Sequence, residues 1–392
     1  MILKPGKDPD IVSSYRPISL LAIISKILER LFLNRLNKYI TNRNLIPDHQ
    51  FGFRNYHGTI EQVNRILSKI IEAVERKKYC SAVFLDVAQA FDKVWHDGLL
   101  FKLKNWIPKN YYLFLRSYLS NRTFQTKIKD TTSNLYSVKA GVPQGSVLGP
   151  TLYLLFIADL PSSQDNITTA TYADDTALLS INSSPILASQ NLQEYMHKIQ
   201  KWFQLWRIKI NENKSTHVTF TLCKMTCPKI LLNDKTIPQH DRVKYLGMHL
   251  DRRITWQEHI WTKRKQLNLK LRKMYWLFGR KSQLSMSNKI LIYKCILKPV
   301  WTYGAQLWGS ASKSNINIME RFQSKCLRII TNAPWFVPNE IIRNDLNIKT
   351  VEEEITRIRS RYKDRLKTHP NKLAAVLYRN RENSRLKKFQ RL

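Results

Sequence analysis

Two β-prone runs, Thr168–Tyr172 and Thr176–Ile181, stand either side of Ala173-Asp174-Asp175, and this stretch limits the possible folds most. It reads as a β-hairpin with two carboxylates at its tip. In a regular strand neighbouring side chains point to opposite faces, so adjacent acids serve one site only where the strand turns. Like charges held side by side on apolar strands are costly unless a cation neutralises them, and oxygen donors select a hard cation such as magnesium. Asp is also a common turn residue, and the pair alone reads more simply as a solvated turn.

Asp86 changes that balance. Cys80–Leu85 is a short, mostly apolar run that reads as a buried strand, and it ends at Asp86. Three acids from two strand ends can hold two Mg²⁺ ions roughly 4 Å apart. One would activate a primer 3′-hydroxyl for attack on an α-phosphate, and the other would hold the triphosphate and the leaving pyrophosphate. Phosphoryl transfer needs positioning and charge neutralisation more than a covalent nucleophile. No Ser-His-Asp or Cys-His signature competes.

The flanking sequence alternates helical and strand periods. Ile24–Ile40 carries Ile24, Ile27, Leu28, Leu31 and Leu36 at helical spacing, and Ile60–Val74 repeats the pattern. A helix is expected behind Asp97-Gly98, strands over Thr123–Lys129 and Tyr136–Lys139, and a Gly/Pro-rich loop at Gly141–Pro150 opening a helix over Leu152–Leu160. Leu187–Trp206 reads as a long helix, Thr216–Thr221 as a strand, and Val243–Leu250 as a strand interrupted by Gly247. Beyond about Thr255 the strands stop and the chain becomes helical and basic, with ten Lys or Arg and one acid, Glu258, in residues 252–281.

Charge narrows the partner. Of the 392 residues, 65 are Lys or Arg and 29 are Asp or Glu, giving a net charge of +36. A polyanion relieves such self-repulsion, and nucleic acid is the leading candidate, ahead of an acidic membrane surface. No apolar run is long enough to span a bilayer and Met1–Asp10 has no signal segment, so an intracellular soluble protein is expected. The five cysteines are scattered; Cys223 and Cys227 with His217 and His240 fit no tight zinc spacing and read as ordinary buried thiols.

Longer motifs carry a family resemblance. Val83-Phe84-Leu85-Asp86-Val87, followed by Ala90-Phe91-Asp92-Lys93-Val94, resembles the first catalytic motif of reverse transcriptases. Tyr172-Ala173-Asp174-Asp175 resembles the second, and Ala140-Gly141-Val142-Pro143-Gln144-Gly145-Ser146-Val147-Leu148-Gly149-Pro150 resembles the loop between them that meets template and nucleotide. Tyr15–Leu21 and Gln50-Phe51-Gly52-Phe53-Arg54 are similar to fingers motifs of retrotransposons lacking long terminal repeats, close to the jockey group of insects. Lys244-Tyr245-Leu246-Gly247 resembles their primer grip, and Tyr303-Gly304, Trp308 and Arg321–Pro334 resemble their C-terminal region.

The resemblance implies an α+β right hand: partial fingers over 1–78, an antiparallel-sheet palm over 79–254 and a basic helical thumb over 255–392. It implies an RNA-directed DNA polymerase with two Mg²⁺ ions, for which Mn²⁺ can substitute, working on an RNA template, a DNA primer and dNTPs. Asp86, Asp174 and Asp175 become the metal triad, with the Val87 carbonyl as an added ligand. Phe91 becomes the aromatic that excludes a ribose 2′-hydroxyl, though by itself it reads as a core ring. Gln144 and Gly145 meet nucleotide and template, and the helix start behind them would favour a phosphate. Arg16 grips the triphosphate, assisted by Lys4 or Lys7, and Lys214 resembles the general acid for pyrophosphate. Tyr245, Leu246 and Gly247 hold the primer, and Trp256, Trp261, Tyr275 and Trp276 line or support the thumb surface or lie in the core.

The chain opens inside the family pattern at Met1-Ile2-Leu3-Lys4-Pro5, so part of the fingers is expected to be missing and a separate endonuclease to supply the nick. Nucleus and cytoplasm both suit such an enzyme. Two other readings stay open: another polymerase, such as an intron-type maturase or an RNA-dependent RNA polymerase, and a catalytically silent nucleic-acid-binding remnant.

Overall fold

The computed structural model describes residues 2, 3, 6, 8–11, 14–128, 130–161, 166–378, 385 and 386. Lys4 and Lys7 lie outside the described residues. Near the N-terminus β1 (Ile2–Leu3) pairs with β2 (Tyr15–Arg16). Next come α1 (Ile23–Asn42), α2 (Thr59–Glu75) and β3 (Tyr79–Leu85).

All of β3 is buried, because both faces of its sheet are covered. Cys80, Ala82 and Phe84 pack with Val63, Ile66, Leu67 and Ile70 of α2. Val83 and Leu85 pack against α6 (Pro185–Leu205), whose Leu192, Met196, Ile199 and Phe203 recur at helical spacing. Each such aliphatic contributes roughly 1.5–3 kcal/mol by burial.

Between β3 and α6 run α3 (His96–Trp106), α4 (Lys109–Leu119), four two-residue strands, α5 (Gly149–Phe156), β8 (Ile167–Tyr172) and β9 (Asp175–Asn182). The expected strands over Thr123–Lys129 and Tyr136–Lys139 break into β4 (Thr123–Phe124) with β7 (Tyr136–Ser137) and β5 (Lys127–Ile128) with β6 (Thr131–Thr132). The main sheet is antiparallel in the order β10–β3–β9–β8, with β10 spanning Thr216–Phe220.

The helix expected over Ile24–Ile40 forms, but most of its apolar stripe faces outward. Ile24, Ile27, Leu28 and Leu31 are exposed, while Glu29, Leu33, Leu36 and Ile40 are buried against α3, α4 and α5. Val243–Leu250 is a hairpin and not one strand: β13 (Arg242–Tyr245) pairs with β14 (Met248–Asp251). Leu246 and Gly247 form its turn at φ 45° and 77°, the left-handed conformation that two-residue hairpin turns need. A smaller hairpin, β11 (Leu231–Leu232) with β12 (Lys235–Thr236), precedes it.

The remainder is helical: α7 (Gln257–Lys273), α8 (Tyr275–Phe278), α9 (Met286–Ile292), α10 (Lys298–Thr302), α11 (Ala305–Trp308), α12 (Lys313–Thr331), α13 (Asn339–Asp345), α14 (Val351–Lys367) and α15 (Lys372–Ala375). One apolar core runs from α2 and Phe84, Val218 and Tyr245 into Trp256, Leu271, Trp301, Phe322, Ile355 and Leu366. Polar ties close the same junction. Glu61 of α2 pairs with Arg365 of α14, and Asn64 donates to the Tyr362 hydroxyl at 3.0 Å. Asn371 donates to the Asp48 carbonyl at 2.9 Å. Trp256 belongs to this core, its indole N–H donating to Ser310, whereas Trp261, Tyr275 and Trp276 are exposed.

Among the histidines the fold buries, His217 and His259 are fully enclosed and held neutral. Burial brings His217, whose ring lies 2.8 Å from the Ser81 hydroxyl, down to about 4, and His259 down to about 3. Both rings must take up protons on unfolding, so their stabilisation is present above the ordinary value of 6.5 and is lost as pH falls toward 4. The urea midpoint is expected to be lower at pH 5 than at pH 7, and the gap to narrow in His217→Gln. Identical gaps in both proteins would contradict a neutral buried His217. No three of Cys223, Cys227, His217 and His240 gather into a metal-holding group among the described residues.

Candidate active site

β3 and β9 pair with Leu85 opposite Thr176, so the next residues in register are Asp86 and Asp175. β8 and β9 pair with Tyr172 opposite Asp175, which makes Ala173-Asp174 a two-residue turn. The three acids therefore meet at one end of the sheet: Asp86 just past β3, Asp174 in the turn, Asp175 opening β9. Ala173 sits at φ 54°, a costly conformation for a residue with a Cβ, and something must hold it there.

Gln50 holds it. Its side-chain oxygen accepts from the Ala173 N–H and the Gly52 N–H, each at 2.8 Å, and its amide donates to the Ala173 carbonyl at 3.3 Å. Gln62 adds a bond to the Thr171 carbonyl at 2.8 Å, and Phe51 N–H donates to the same oxygen at 2.9 Å. Gly52 is required by proximity, since a Cβ there would lie 2.2 Å from the Ala173 nitrogen. Gln50 and Gly52 were legible only as part of a fingers motif. Nothing local to Gln50 marks its target 123 residues away.

The acids act on one another. Burial, then the charges of Asp174 and Asp86, push Asp175 up to about 6. Burial and the Asp86 charge also raise Asp174, opposed by Arg16. Mutual repulsion of this kind is what a divalent cation relieves, and an all-oxygen donor set suits Mg²⁺. Among the described residues no three His, Cys, Asp or Glu side chains are gathered closely enough to hold a metal ion, so the acids share one end of the sheet without forming a ready-made metal group.

Val87 faces Ile210 in an antiparallel bridge whose bonds come from its neighbours: Asn211 N–H to the Asp86 carbonyl and Ala88 N–H to the Lys209 carbonyl, both 2.8 Å. By the alternation of an antiparallel pair, the Val87 carbonyl points to the other side, where β9 lies. Lys214 Nζ stands 4.0 Å from Asp86 Oδ2. Phe91 stacks on buried Tyr153 at 4.8 Å and meets Phe53 edge-on at 5.8 Å, so its ring is propped from two sides while remaining partly exposed.

In the loop before α5, Gln144 donates to Asp92 at 2.9 Å and its carbonyl accepts from Ser19 N–H at 2.8 Å. Gly145 has φ 112°, and a Cβ there would lie 2.9 Å from the Ser19 carbonyl. Several donors at the following helix start, expected to favour a phosphate, are already engaged. Buried Glu29 accepts from Val147 and Leu148 N–H at 2.6 and 3.0 Å, and Ser146 accepts from Gly149 N–H at 2.8 Å, so those donors are taken.

The primer-grip expectation is corrected for one side chain. Tyr245 is buried against Phe84, rings 5.2 Å apart, and cannot reach a primer. The turn Leu246-Gly247 is partly exposed. It is fixed by Tyr303, whose hydroxyl donates to the Leu246 carbonyl at 2.6 Å and lies 3.0 Å from the Thr59 hydroxyl.

The sequence has clear relatives among known proteins. The profile of the family described as "Reverse transcriptase (RNA-dependent DNA polymerase)" matches residues 2–250. The probable RNA-directed DNA polymerase from transposon X-element of Drosophila melanogaster is 43% identical over 100% of this chain and 43% of its own length. The RNA-directed DNA polymerase from mobile element jockey of Drosophila melanogaster is 43% identical over 96% of this chain and 42% of its own. This chain thus spans less than half the length of these relatives. The solved apo telomerase from Candida tropicalis aligns over 94% of this chain and 61% of its own with a TM-score of 0.42 and 13% identity. The antiparallel sheet with its acidic corner and helical flanks is the α+β right-hand polymerase fold. The chain belongs to the reverse transcriptase family, alongside the RNA-directed DNA polymerases of jockey and related retrotransposons that lack long terminal repeats.

Proposed function

We propose that this chain extends a DNA primer 3′ end with dNTPs on an RNA template, as the polymerase part of a retrotransposition reaction whose nick comes from an endonuclease activity. The observation that carries the reading is the register placing Asp86 level with Asp175 and beside Asp174 at the end of a buried sheet. These carboxylates, with the Val87 carbonyl, would hold two Mg²⁺ ions, and Mn²⁺ would serve in their place. Bound there, such ions supply charge neutralisation and activation of the primer hydroxyl.

The chain's own groups do the rest. Arg16, close enough to act on Asp174, grips the triphosphate. Phe91, propped on Tyr153, lies under the incoming sugar and blocks a 2′-hydroxyl. Gln144 and Gly145 line the nucleotide and template side. Lys214 gives a proton to the departing pyrophosphate. The Leu246-Gly247 turn steadies the primer end, with residues 1–78 acting as fingers, 79–254 as palm and 255–392 as thumb. No described helix is long and apolar enough to cross a membrane. Reaction at nicked chromosomal DNA places the work in the nucleus, after synthesis in the cytoplasm.

Primer extension on poly(rA)/oligo(dT) with Mg²⁺ tests the reading. Wild type is expected to incorporate dTTP, and Phe91→Ala to admit UTP more readily. RNA binding without incorporation would identify a silent remnant instead, and unchanged sugar discrimination would remove Phe91 from the gate.

A further inference from the structure

The loop between α12 and α13 presents an aromatic pair to solvent. Trp335 is 89% exposed, the most open aromatic among the described residues, and Phe336 is 68% exposed. Their rings lie 6.1 Å apart at 81°. Folding ordinarily covers rings of this size at least in part.

The loop is nevertheless held in shape. Arg328 of α12 donates to Asn339 Oδ1 and to the Pro334 carbonyl, both at 2.9 Å, and to the Val337 carbonyl. Asn332 caps α12 in the left-handed conformation and accepts from Arg280. Pro334 and Pro338 bracket the pair. Much of the ordering cost of a stacking platform is therefore met before any ligand arrives.

A groove of about 490 Å³ adjoins this loop, lined by Arg321, Ser324, Lys325, Arg328, Asn339 and Arg343 along with Glu320. Arg321 and Lys325 are exposed and one helical turn apart. The single acid of the lining is already engaged, Glu320 accepting from Arg343 at 3.2 Å and from Val351 N–H at 2.7 Å. The surface thus offers flat π-faces beside a row of cations. A duplex hides its base faces, and a wholly apolar partner would leave the cations unused. A single strand uses both, stacking bases on the rings and laying phosphates along the cations.

We propose that the Trp335–Phe336 loop and the α12–α13 groove form a binding site for single-stranded RNA, built from elements that contribute nothing to the acidic corner. The choice of RNA over DNA rests on the polymerase reading above, whose template is RNA. Anisotropy of a short labelled oligo(U), without nucleotide or metal, tests it on the full chain. Trp335→Ala is expected to weaken oligo(U) about tenfold and to leave a blunt RNA–DNA duplex of the same length unaffected. Trp335→Phe is expected to restore most of the loss. Arg321→Gln with Lys325→Gln should flatten the dependence of log affinity on log salt by ~1.4, at ~0.7 for each phosphate no longer neutralised.

Unchanged oligo(U) affinity in Trp335→Ala, an equal loss on the duplex, or an unchanged salt slope would each overturn the site and leave the loop to another partner. Tighter binding of oligo(dT) than of oligo(U) would overturn the choice of RNA. A chain that binds through Trp335 but adds no nucleotide fails the polymerase reading alone. One that extends primers while ignoring Trp335 fails only this proposal.

Discussion

Asp174→Asn is expected to cut primer extension by roughly 10³-fold or more, the scale lost when a charge that stabilises phosphoryl transfer is removed. Nucleic-acid binding should stay within about twofold, because thumb and surface cations supply most of it. A second readout separates chemistry from misfolding. Burial and Asp86 make the Asp174 charge unfavourable in the metal-free protein. Removing it relieves repulsion, so the variant should melt at or above the wild-type temperature without metal. Mg²⁺ should raise the melting temperature of wild type and barely that of the variant, since only a bound ion stabilises the fold. An active Asp174→Asn, or one that is inactive because it is unfolded, would remove the support this residue gives to the mechanism.

Gln50→Leu is expected to lower the turnover rate on the order of 10²-fold, the scale of a small misplacement of catalytic groups, although Gln50 touches no substrate. Its amide is the bolt on the acidic turn. Leu matches its volume and leaves the Ala173 and Gly52 N–H groups buried without a partner, at about 1–3 kcal/mol each. Ala173 then has less to keep it at φ 54°, and Asp174, the next residue, loses its fixed position. The effect should fall on kcat more than on KM for dNTP. Gln50→Glu should recover part of the rate, because it still accepts from both N–H groups. A variant that is merely less stable, with kcat unchanged, would reduce Gln50 to a structural role.

What the sequence disclosed and what it hid divide on physical lines. The apolar run to Asp86 and the hairpin carrying Asp174 and Asp175 were legible because a strand covered on both faces is largely apolar and because a pair of acids needs a turn to share a site. Features set by distant partners were not. The Gln50 clamp closes across 123 residues, and Glu29 claims backbone donors that looked open to a phosphate. The stripe of α1 gave the helix but not its orientation, since buried Glu29 defines the inward face and Ile24 and Ile27 do not. Gly247 read as an interruption, because the left-handed backbone of Leu246 that completes the turn leaves no mark in residue type. Tyr245 looked like a primer contact for the same reason that it is buried: a large ring beside a tight turn serves either purpose.

The apolar core that passes from the sheet into the C-terminal helices has a mechanical consequence. A clamp carried on a loose tether can swing clear of its base, whereas one whose roots are interleaved with that base can only bend. Severing the chain near residue 255 would wet Phe84, Val218 and Tyr245 on one fragment and Trp256, Phe322 and Leu366 on the other. Neither piece would own a complete interior, so the two stand or collapse as one cooperative body.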